Sequence, residues 1–202
     1  MATEIELKLR ILDDIGSAVE SVGACLKALG IDDDFQLYEL KNTYFDTNER
    51  ILNANKMALR IRDKQGKYIQ TLKTKGRSVQ GLSERGEWEW LLPKFELDGV
   101  ALQACEAWPD DIDIKTLSAA FETNFTRRQL EFTWQASRIE LALDQGVILS
   151  QGKLEKINEI ELELKTGNEN GLHSLGAELQ KFLLLAPSDI SKAERGYRLF
   201  GR

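Results

Sequence analysis

The sequence is poor in the residue types on which several common active sites depend. Its 202 residues include one histidine, His173, and two cysteines, Cys25 and Cys105. His173 lies in a segment with helical periodicity and is interpreted as a surface residue, so we expect neither a Ser-His-Asp triad nor a Cys/His zinc site. Both cysteines lie among Ala and Leu, and we interpret them as reduced core residues of a cytoplasmic protein.

Long apolar runs and an excess of basic residues are also missing. No run approaches the roughly 18 apolar residues of a membrane span, and no charged leader followed by an apolar core opens the sequence. We therefore expect no membrane association and no secretion. The net charge of −6 argues against a general nucleic-acid binder, although a local basic pocket remains compatible with it. No internal repeat or linker-like segment divides the chain.

What the sequence does contain is uninterrupted alternation, which is clearest in ATEIELKLRI (residues 2–11). Its charged positions are Glu4, Glu6, Lys8 and Arg10, and its apolar positions are Ile5, Leu7, Leu9 and Ile11. A period of two is typical of a β-strand with one buried face. Taken alone, the charged face would most simply turn to water, as in many antiparallel sheets.

The same pattern returns along the whole chain. About eight strands are predicted, over residues 2–11, 35–47, 57–64, 68–76, 84–92, 126–134, 137–146 and 156–167. Amphipathic helices are predicted over residues 15–30, with Gly30 as a C-terminal cap, and over 171–185, and capping residues precede a short last helix. Residues 96–121 are predicted to form short helices and loops.

The charged faces of these strands carry like charges two residues apart. Arg60 and Arg62 share one face, and Glu159, Glu161 and Glu163 share another. Such residues lie about 7 Å apart along a strand and repel one another unless counter-charges are near. A closed barrel with the charged faces inward and helices on the apolar outside provides those counter-charges. The predicted fold is therefore α+β, a closed antiparallel barrel that forms a charged tunnel with helices packed outside.

Acidic and basic groups in one tunnel predict a particular ligand chemistry. Carboxylate clusters hold hard divalent cations, and Arg and Lys hold phosphate oxygens. A tunnel with both is suited to a metal-bound polyphosphate.

These residues also resemble a known family, the CYTH superfamily of triphosphate tunnel metalloenzymes. The resemblance rests on nine segments in family order: ExExK (Glu4, Glu6, Lys8), YFDT (44–47), LRIR (59–62), TLK (71–73), EWEW (87–90), Arg127, IELALDQG (139–146), EIELEL (159–164) and SKAERGY (191–197). EIELKLRI, IELALDQG and SKAERGY are similar to the N-terminal domain of bacterial inorganic triphosphatases that join CYTH to a helical CHAD domain. We therefore expect one CYTH domain over residues 1–202, either complete in itself or followed by a CHAD domain.

The resemblance implies roles for individual residues. Implied metal ligands are Glu4, Glu6, Asp144, Glu159, Glu161 and Glu163, with Asp144 and Glu163 the weaker candidates. Implied phosphate-binding residues are Arg60, Arg62, Lys73, Arg127, Lys192 and Arg195, although Arg195 could instead close the tunnel end or pair with a barrel acid. Lys8 would touch the phosphates or orient the attacking water, which places it with Glu4 and Glu6 in the catalytic group. Glu87 and Glu89 would hold bases in place, and Lys75 has no assigned role.

The function that the resemblance implies is hydrolysis of inorganic triphosphate to pyrophosphate and phosphate with Mg²⁺ or Mn²⁺. Thiamine triphosphatase activity and class IV adenylate cyclase activity are alternatives within the same chemistry. A third alternative is a non-catalytic module that binds polyphosphate or nucleotides. The expected partner in each case is a small molecule with a phosphate chain.

Overall fold

Eight antiparallel strands close into a barrel in the computed structural model, which describes residues 2–13 and 15–201. Met1, Asp14 and Arg202, which belong to the predicted single domain, lie outside the described residues. The described residues form ten strands, of which all but β5 and β10 belong to the barrel. They are β1 (Ala2–Ile11), β2 (Gln36–Asp46), β3 (Ala58–Lys64), β4 (Lys67–Lys73), β5 (Arg77–Val79), β6 (Leu82–Leu92), β7 (Ser118–Trp134), β8 (Ser137–Ser150), β9 (Lys153–Thr166) and β10 (Leu185–Pro187).

The barrel closes because β1 pairs on both of its sides. The order of hydrogen-bonded neighbours is β1-β9-β8-β7-β2-β3-β4-β6, and β6 pairs back onto β1. Ala2–Leu7 of β1 pair with residues 82–87 of β6, while Glu6–Arg10 pair with residues 159–163 of β9. The short strands β5 and β10 extend β6 and β1 beyond the barrel. This architecture confirms the predicted fold and places β3 and β9 on opposite sides of the barrel.

Two helices cover the apolar outer face of β1, β8 and β9. They are α1 (Ile15–Ala28) and α4 (Asn170–Leu179), and side chains such as Val22 and Leu175 pack on Leu9, Leu141 and Leu162. Gly30 adopts a positive φ of 75° after α1, as expected of a C-terminal cap. The prediction of a helix over 171–185 is too long, because residues 185–187 pair with β1 as β10.

Short elements cover the outer face of β3 and β4. They are α2 (Ile51–Ala54), α3 (Gly99–Gln103) and a 3₁₀ turn (Ile114–Thr116), and their cluster includes Leu59, Leu72 and Leu102. The prediction of short helices and loops after residue 96 holds as far as Leu117, but β7 already begins at Ser118. None of the helices in the described part of the chain is long and apolar enough to cross a membrane.

The last helix, α5 (Lys192–Phe200), lies inside the barrel rather than outside it. Ser191 and Glu194 form a capping box at its start. Its Ala193, Tyr197 and Leu199 pack with inward residues of β2, β7, β8 and β9. A Cβ on Gly196 would lie 2.1 Å from Cε2 of Phe121, so only glycine permits this approach. α1 and α4 thus pack outside the barrel as predicted, while α5, for which the sequence predicted no position, fills one end of the barrel.

Candidate active-site tunnel

The barrel encloses a cavity of about 760 Å³ with a strongly charged lining. Twelve residues with roles implied by the resemblance line it: Glu4, Glu6, Lys8, Arg60, Arg62, Lys73, Glu87, Glu89, Arg127, Glu161, Glu163 and Lys192. Asp144 and Glu159 are buried and contact Lys192 from behind this lining, and Arg195 binds Glu155 and Glu159. The inward orientation of the charged strand faces therefore agrees with the sequence pattern.

Three carboxylates meet on one wall of the tunnel. Asp144 and Glu159 are paired across β8 and β9, and Glu161 follows on the same face of β9. One oxygen from each lies within 4.8 Å of the others. The Lys192 ammonium binds all three, at 2.7 Å from Asp144, 2.5 Å from Glu159 and 2.8 Å from Glu161. We call Asp144, Glu159 and Glu161 the acidic triad.

Basic neighbours surround the acidic triad and keep Glu161 ionised in spite of its burial. Arg127 Nη2 lies 2.6 Å from both Asp144 Oδ2 and Glu161 Oε2. Burial alone would raise the pKa of Glu161, but the charges of Lys192 and Arg127 hold that pKa well below its ordinary value. Burial would likewise lower the pKa of Lys192, and the triad carboxylates raise it instead. The three carboxylates of this wall lie close enough together for one cation to contact all of them.

The donor set around the triad fits a divalent cation. Carboxylate oxygens are the ligands that Mg²⁺ and Mn²⁺ prefer. Glu6 adds a further carboxylate nearby, and its buried Oε1 receives no hydrogen bond from the described residues. Burial and the charge of Glu161 raise the pKa of Glu6, so this carboxylate lacks sufficient counter-charge. A divalent ion would supply it.

The remaining charges of β1 are paired. Glu4 accepts hydrogen bonds from Lys73 at 2.7 and 2.9 Å and from Arg85 at 2.8 Å. Burial opposes ionisation of Glu4, but these two bases lower its pKa overall. Lys8 lies 3.2 Å from Glu6 and 3.8 Å from Glu161. Burial disfavours its ammonium, yet Glu6 and Glu161 raise the pKa of Lys8, so this residue stays protonated and acts as a hydrogen-bond donor, not as a base.

The opposite wall carries two arginines without an ion-paired carboxylate, Arg60, which is buried, and Arg62, which is half-buried. Among the described residues, no carboxylate lies within 4.0 Å of the guanidinium of Arg60 or Arg62. Arg62 Nε donates to Asn42 Oδ1 at 2.8 Å, and the buried Arg60 Nε has no hydrogen-bond partner in the described part of the chain. Burial and the charges of Arg60 and Arg127 lower the pKa of Arg62 to about 9. Two crowded guanidinium groups of this kind favour a bound anion.

Glu163 lies apart from the acidic triad. It pairs with Lys165 at 2.7 Å, and Lys165 also lies 3.2 Å from Glu140. Burial raises the pKa of Glu163 to about 7, with Glu140 adding to the shift and Lys165 only partly offsetting it. The structure thus groups Asp144 with Glu159 and Glu161, and places Glu163 with Glu140 around Lys165.

Several site residues have no role in the sequence-based assignment. Arg85 binds Glu4, Asn42 orients Arg62, and Lys165 bridges Glu140 and Glu163. Arg85 could have been found, because it shares a strand face with Glu87. The sequence does not predict a site role for Asn42, since it is a neutral residue in a strand rich in aromatic residues. Glu87 lies 3.2 Å from the base Lys73, whereas Glu89 accepts a hydrogen bond from the hydroxyl of Thr71, which is not a base.

Comparison with known proteins gives matches along nearly the whole chain. The CYTH domain family matches residues 2–197. An inorganic triphosphatase of Haemophilus influenzae is 37% identical over 200 residues, which cover 98% of this chain and 55% of that protein. The chain thus spans about half the length of this curated relative.

Solved structures share the fold at low sequence identity. HpAC1 from Hippeastrum, a candidate adenylyl cyclase with a dominant triphosphatase activity, matches with a TM-score of 0.69 and 20% identity over 96% of this chain and 95% of that one. The Mimivirus capping enzyme triphosphatase matches with a TM-score of 0.52 and 10% identity over 89% of each chain. With the family match, the tunnel architecture and its charged lining, the chain belongs to the CYTH domain family.

Proposed function

We propose that this chain is a metal-dependent inorganic triphosphatase that cleaves triphosphate into pyrophosphate and phosphate inside the tunnel. The observation that carries the proposal is the arrangement of opposite charges across the barrel. Arg60 and Arg62 on β3, without carboxylate partners, face a wall on which β8 and β9 present the acidic triad. Such a tunnel accommodates a highly charged anion together with the cation that neutralises it.

The basic side chains have two roles in this proposal. Arg60 and Arg62 bind phosphate oxygens directly, since neither forms an ion pair with a carboxylate of the described residues. Lys73, Arg127 and Lys192 bind phosphate after they exchange part of their present carboxylate contacts for the substrate. Arg195 acts less directly, because its guanidinium lies 3.0 Å from Glu159 and holds that carboxylate in place. These contacts stabilise the charge that develops on the leaving pyrophosphate.

The acidic side chains hold Mg²⁺ or Mn²⁺. The acidic triad, with Glu4 and Glu6, supplies the ligands, and Glu163 contributes through water because it lies apart from the triad. When bound, the metal neutralises phosphate charge and lowers the pKa of the attacking water. The Lys8 ammonium orients that water or a phosphate oxygen. The water oxygen bonds to the terminal phosphorus and releases a proton to bulk solvent, while the P–O–P bond breaks and pyrophosphate leaves with the electron pair of that bond.

The curated relative from Haemophilus influenzae supports the choice of substrate, because it is named an inorganic triphosphatase. The expectation of a CHAD domain and that of a cytoplasmic location stay predictions. A metal requirement is part of the proposal for this chain and rests on the donor set described above.

The test is a phosphate-release assay with triphosphate, ATP and thiamine triphosphate, each with Mg²⁺, Mn²⁺ or EDTA. We expect triphosphate to be cleaved fastest, EDTA to abolish turnover and added metal to restore it. Glu161→Gln should lose turnover, while Glu122→Gln, an exposed side chain on the outer face of β7, should retain it. Tight triphosphate binding without hydrolysis would identify a binding module instead, and faster cleavage of ATP or thiamine triphosphate would replace the proposed substrate.

A further inference from the structure

A second cavity of about 280 Å³ adjoins the tunnel at the end that α5 fills. Lys8, Lys73 and Arg85 are the basic residues that line both cavities, so the two spaces are adjacent at these side chains. Lys56, Lys75 and Arg77 line only the second cavity, which we call the antechamber. The bases of the tunnel wall therefore continue outward as a basic track that the triphosphatase proposal does not use.

The three bases that line only the antechamber have no carboxylate partner, whereas two acids of its lining accept hydrogen bonds. Within the described residues, no carboxylate lies within 4.0 Å of Lys56, Lys75 or Arg77. Asp189 accepts hydrogen bonds from Ser78 Oγ at 2.7 Å and from the Gly81 amide at 2.8 Å. Glu194 caps α5 by accepting a hydrogen bond from the Ser191 amide at 2.8 Å. These neutral donors leave both acids charged, and Glu84 lies across from Arg77 in the β5–β6 register. Six bases and three acids line the antechamber, so positive charge prevails there.

The backbone fixes the position of two of these bases. The Thr74 amide donates to the Gly86 carbonyl at 3.1 Å, which holds the connection after β4 against β6. A Cβ on Gly76 would lie 2.2 Å from the Glu84 carbonyl oxygen, so this connection packs too closely for any other residue. Lys75 and Arg77 flank Gly76, and they are therefore presented at the antechamber by a rigid segment rather than by a free loop.

From this geometry we infer that the antechamber is a subsite for the distal phosphates of a linear polyphosphate longer than triphosphate. The inference rests on the proposed function, since three phosphates of the chain occupy the tunnel. Phosphates beyond them pass Lys73 and Arg85 and reach Lys56, Lys75 and Arg77. Ammonium and guanidinium groups recognise such repeated phosphates without any other feature of the ligand.

An inorganic chain fits the antechamber better than a nucleotide does. Recognition of a base or a thiazole ring by stacking needs an accessible aromatic face. Tyr197 is the aromatic residue among the described side chains that line the antechamber, and its ring packs edge-on against Phe121 at 5.0 Å in an apolar cluster. The described lining of the antechamber therefore offers no free aromatic face, and its six bases outnumber its three acids.

The experiment measures binding of triphosphate, tetraphosphate and orthophosphate by calorimetry in EDTA, so that turnover is not required. The test variant is Lys56→Gln with Lys75→Gln and Arg77→Gln. A matched control removes three exposed lysines of the outer elements, Lys27→Gln with Lys115→Gln and Lys181→Gln. A second control, Lys56→Arg with Lys75→Arg and Arg77→Lys, keeps the charges in place.

We expect the parent to bind tetraphosphate more tightly than triphosphate. The test variant should lose roughly tenfold in tetraphosphate affinity, the sum of three modest exposed contacts, and keep its triphosphate affinity. Both controls should behave like the parent. Equal losses for both anions would mean a general electrostatic effect, and a loss for orthophosphate alone would mean a product site; either result overturns the inference. If the parent binds no triphosphate, the proposed function fails instead.

Discussion

The ammonium of Lys192 lies 2.7 Å from Oδ2 of Asp144, a carboxylate with no exposed surface. The same nitrogen binds Glu159 and Glu161, so this lysine takes the place of a cation in the acidic triad. A divalent ion bound to the triad must compete with it, and the displaced ammonium becomes free to bind phosphate. This exchange reconciles the contacts of Lys192 in the structure with its implied role as a phosphate-binding residue.

Replacing Lys192 should make the stability of the fold depend on metal. Lys192→Met leaves buried carboxylates without their main counter-charge, which typically costs about 3–5 kcal/mol. Mn²⁺ can supply that charge, and by mass action it should raise the unfolding free energy of the variant more than that of the parent. The measurement is urea unfolding in EDTA and in Mn²⁺.

Lys165→Met is the matched control for this experiment. Lys165 is partly exposed and pairs with Glu140 and Glu163, outside the acidic triad. It should lose less stability in EDTA and gain no more from Mn²⁺ than the parent does. If Mn²⁺ stabilised all three proteins equally, Lys192 would not stand in for the metal.

Anion binding at Arg60 and Arg62 should stabilise the fold, as cation binding at the acidic triad should. Triphosphate relieves the repulsion between Arg60 and Arg62, so it should raise the melting temperature of the parent even in EDTA. At about a hundredfold excess over the dissociation constant the gain is about 2.7 kcal/mol. Arg60→Gln with Arg62→Gln should lose most of this shift, and should weaken triphosphate binding more than pyrophosphate binding, because the longer anion reaches more of the bases.

A thermal-shift titration compares the parent, this double variant and a control. Arg138→Gln with Arg198→Gln removes two exposed guanidinium groups outside the tunnel. The control should shift like the parent, and high sulfate should compete with triphosphate in both. Equal shifts in the Arg60/Arg62 variant and the parent would mean that these two arginines bind no phosphate.

Glu4 should stabilise the metal-free protein at neutral pH. Lys73 and Arg85 lower its pKa in the folded state below the ordinary value of 4.5. Its contribution to the unfolding free energy is therefore present above pH 4.5 and is lost as the pH falls towards the folded-state pKa. Glu4→Gln should be less stable than the parent at pH 7, and the difference should shrink at pH 3 in urea unfolding. A constant difference would contradict this assignment.

Glu163 should have the opposite effect, because its pKa is raised to about 7 from an ordinary 4.5. The protonated form favours the fold, so its contribution is complete below pH 4.5 and is lost as the pH rises through about 7. Glu163→Gln should therefore exceed the parent by about 1–2 kcal/mol at pH 8 in EDTA and match it at pH 4.5. Unfolding at the two pH values checks this, and equal stability at pH 8 would contradict it.

Alternation along single strands was sufficient to predict which side chains enter the tunnel. A closed barrel has only an inside and an outside, so period two assigns Arg60, Arg62 and Glu161 without knowledge of their neighbours. The identity of each ion pair depends instead on strand order and register. Glu4 meets Lys73 from 69 residues away, and no local pattern contains that contact.

The placement of α5 could not be predicted for the same reason. Ser191 and Glu194 mark where the helix begins, because capping is a local property. Whether it packs inside or outside the barrel depends on the approach of Gly196 to Phe121, which is a contact between distant segments. The position of Lys192 in the acidic triad follows from that approach.

The assignment of inner and outer faces can itself be tested on β9. Leu162 has no exposed surface beneath the outer helices, whereas Leu154, on the same strand, is 57% exposed. Leu162→Asp would bury an unpaired carboxylate in an apolar layer and should cost about 4 kcal/mol or more in unfolding free energy. Leu154→Asp is the control and should change the unfolding free energy by less than about 1 kcal/mol. Guanidinium unfolding compares the two, and a Leu162→Asp variant as stable as the parent would mean that the carboxylates of β9 face outward and the tunnel does not contain them.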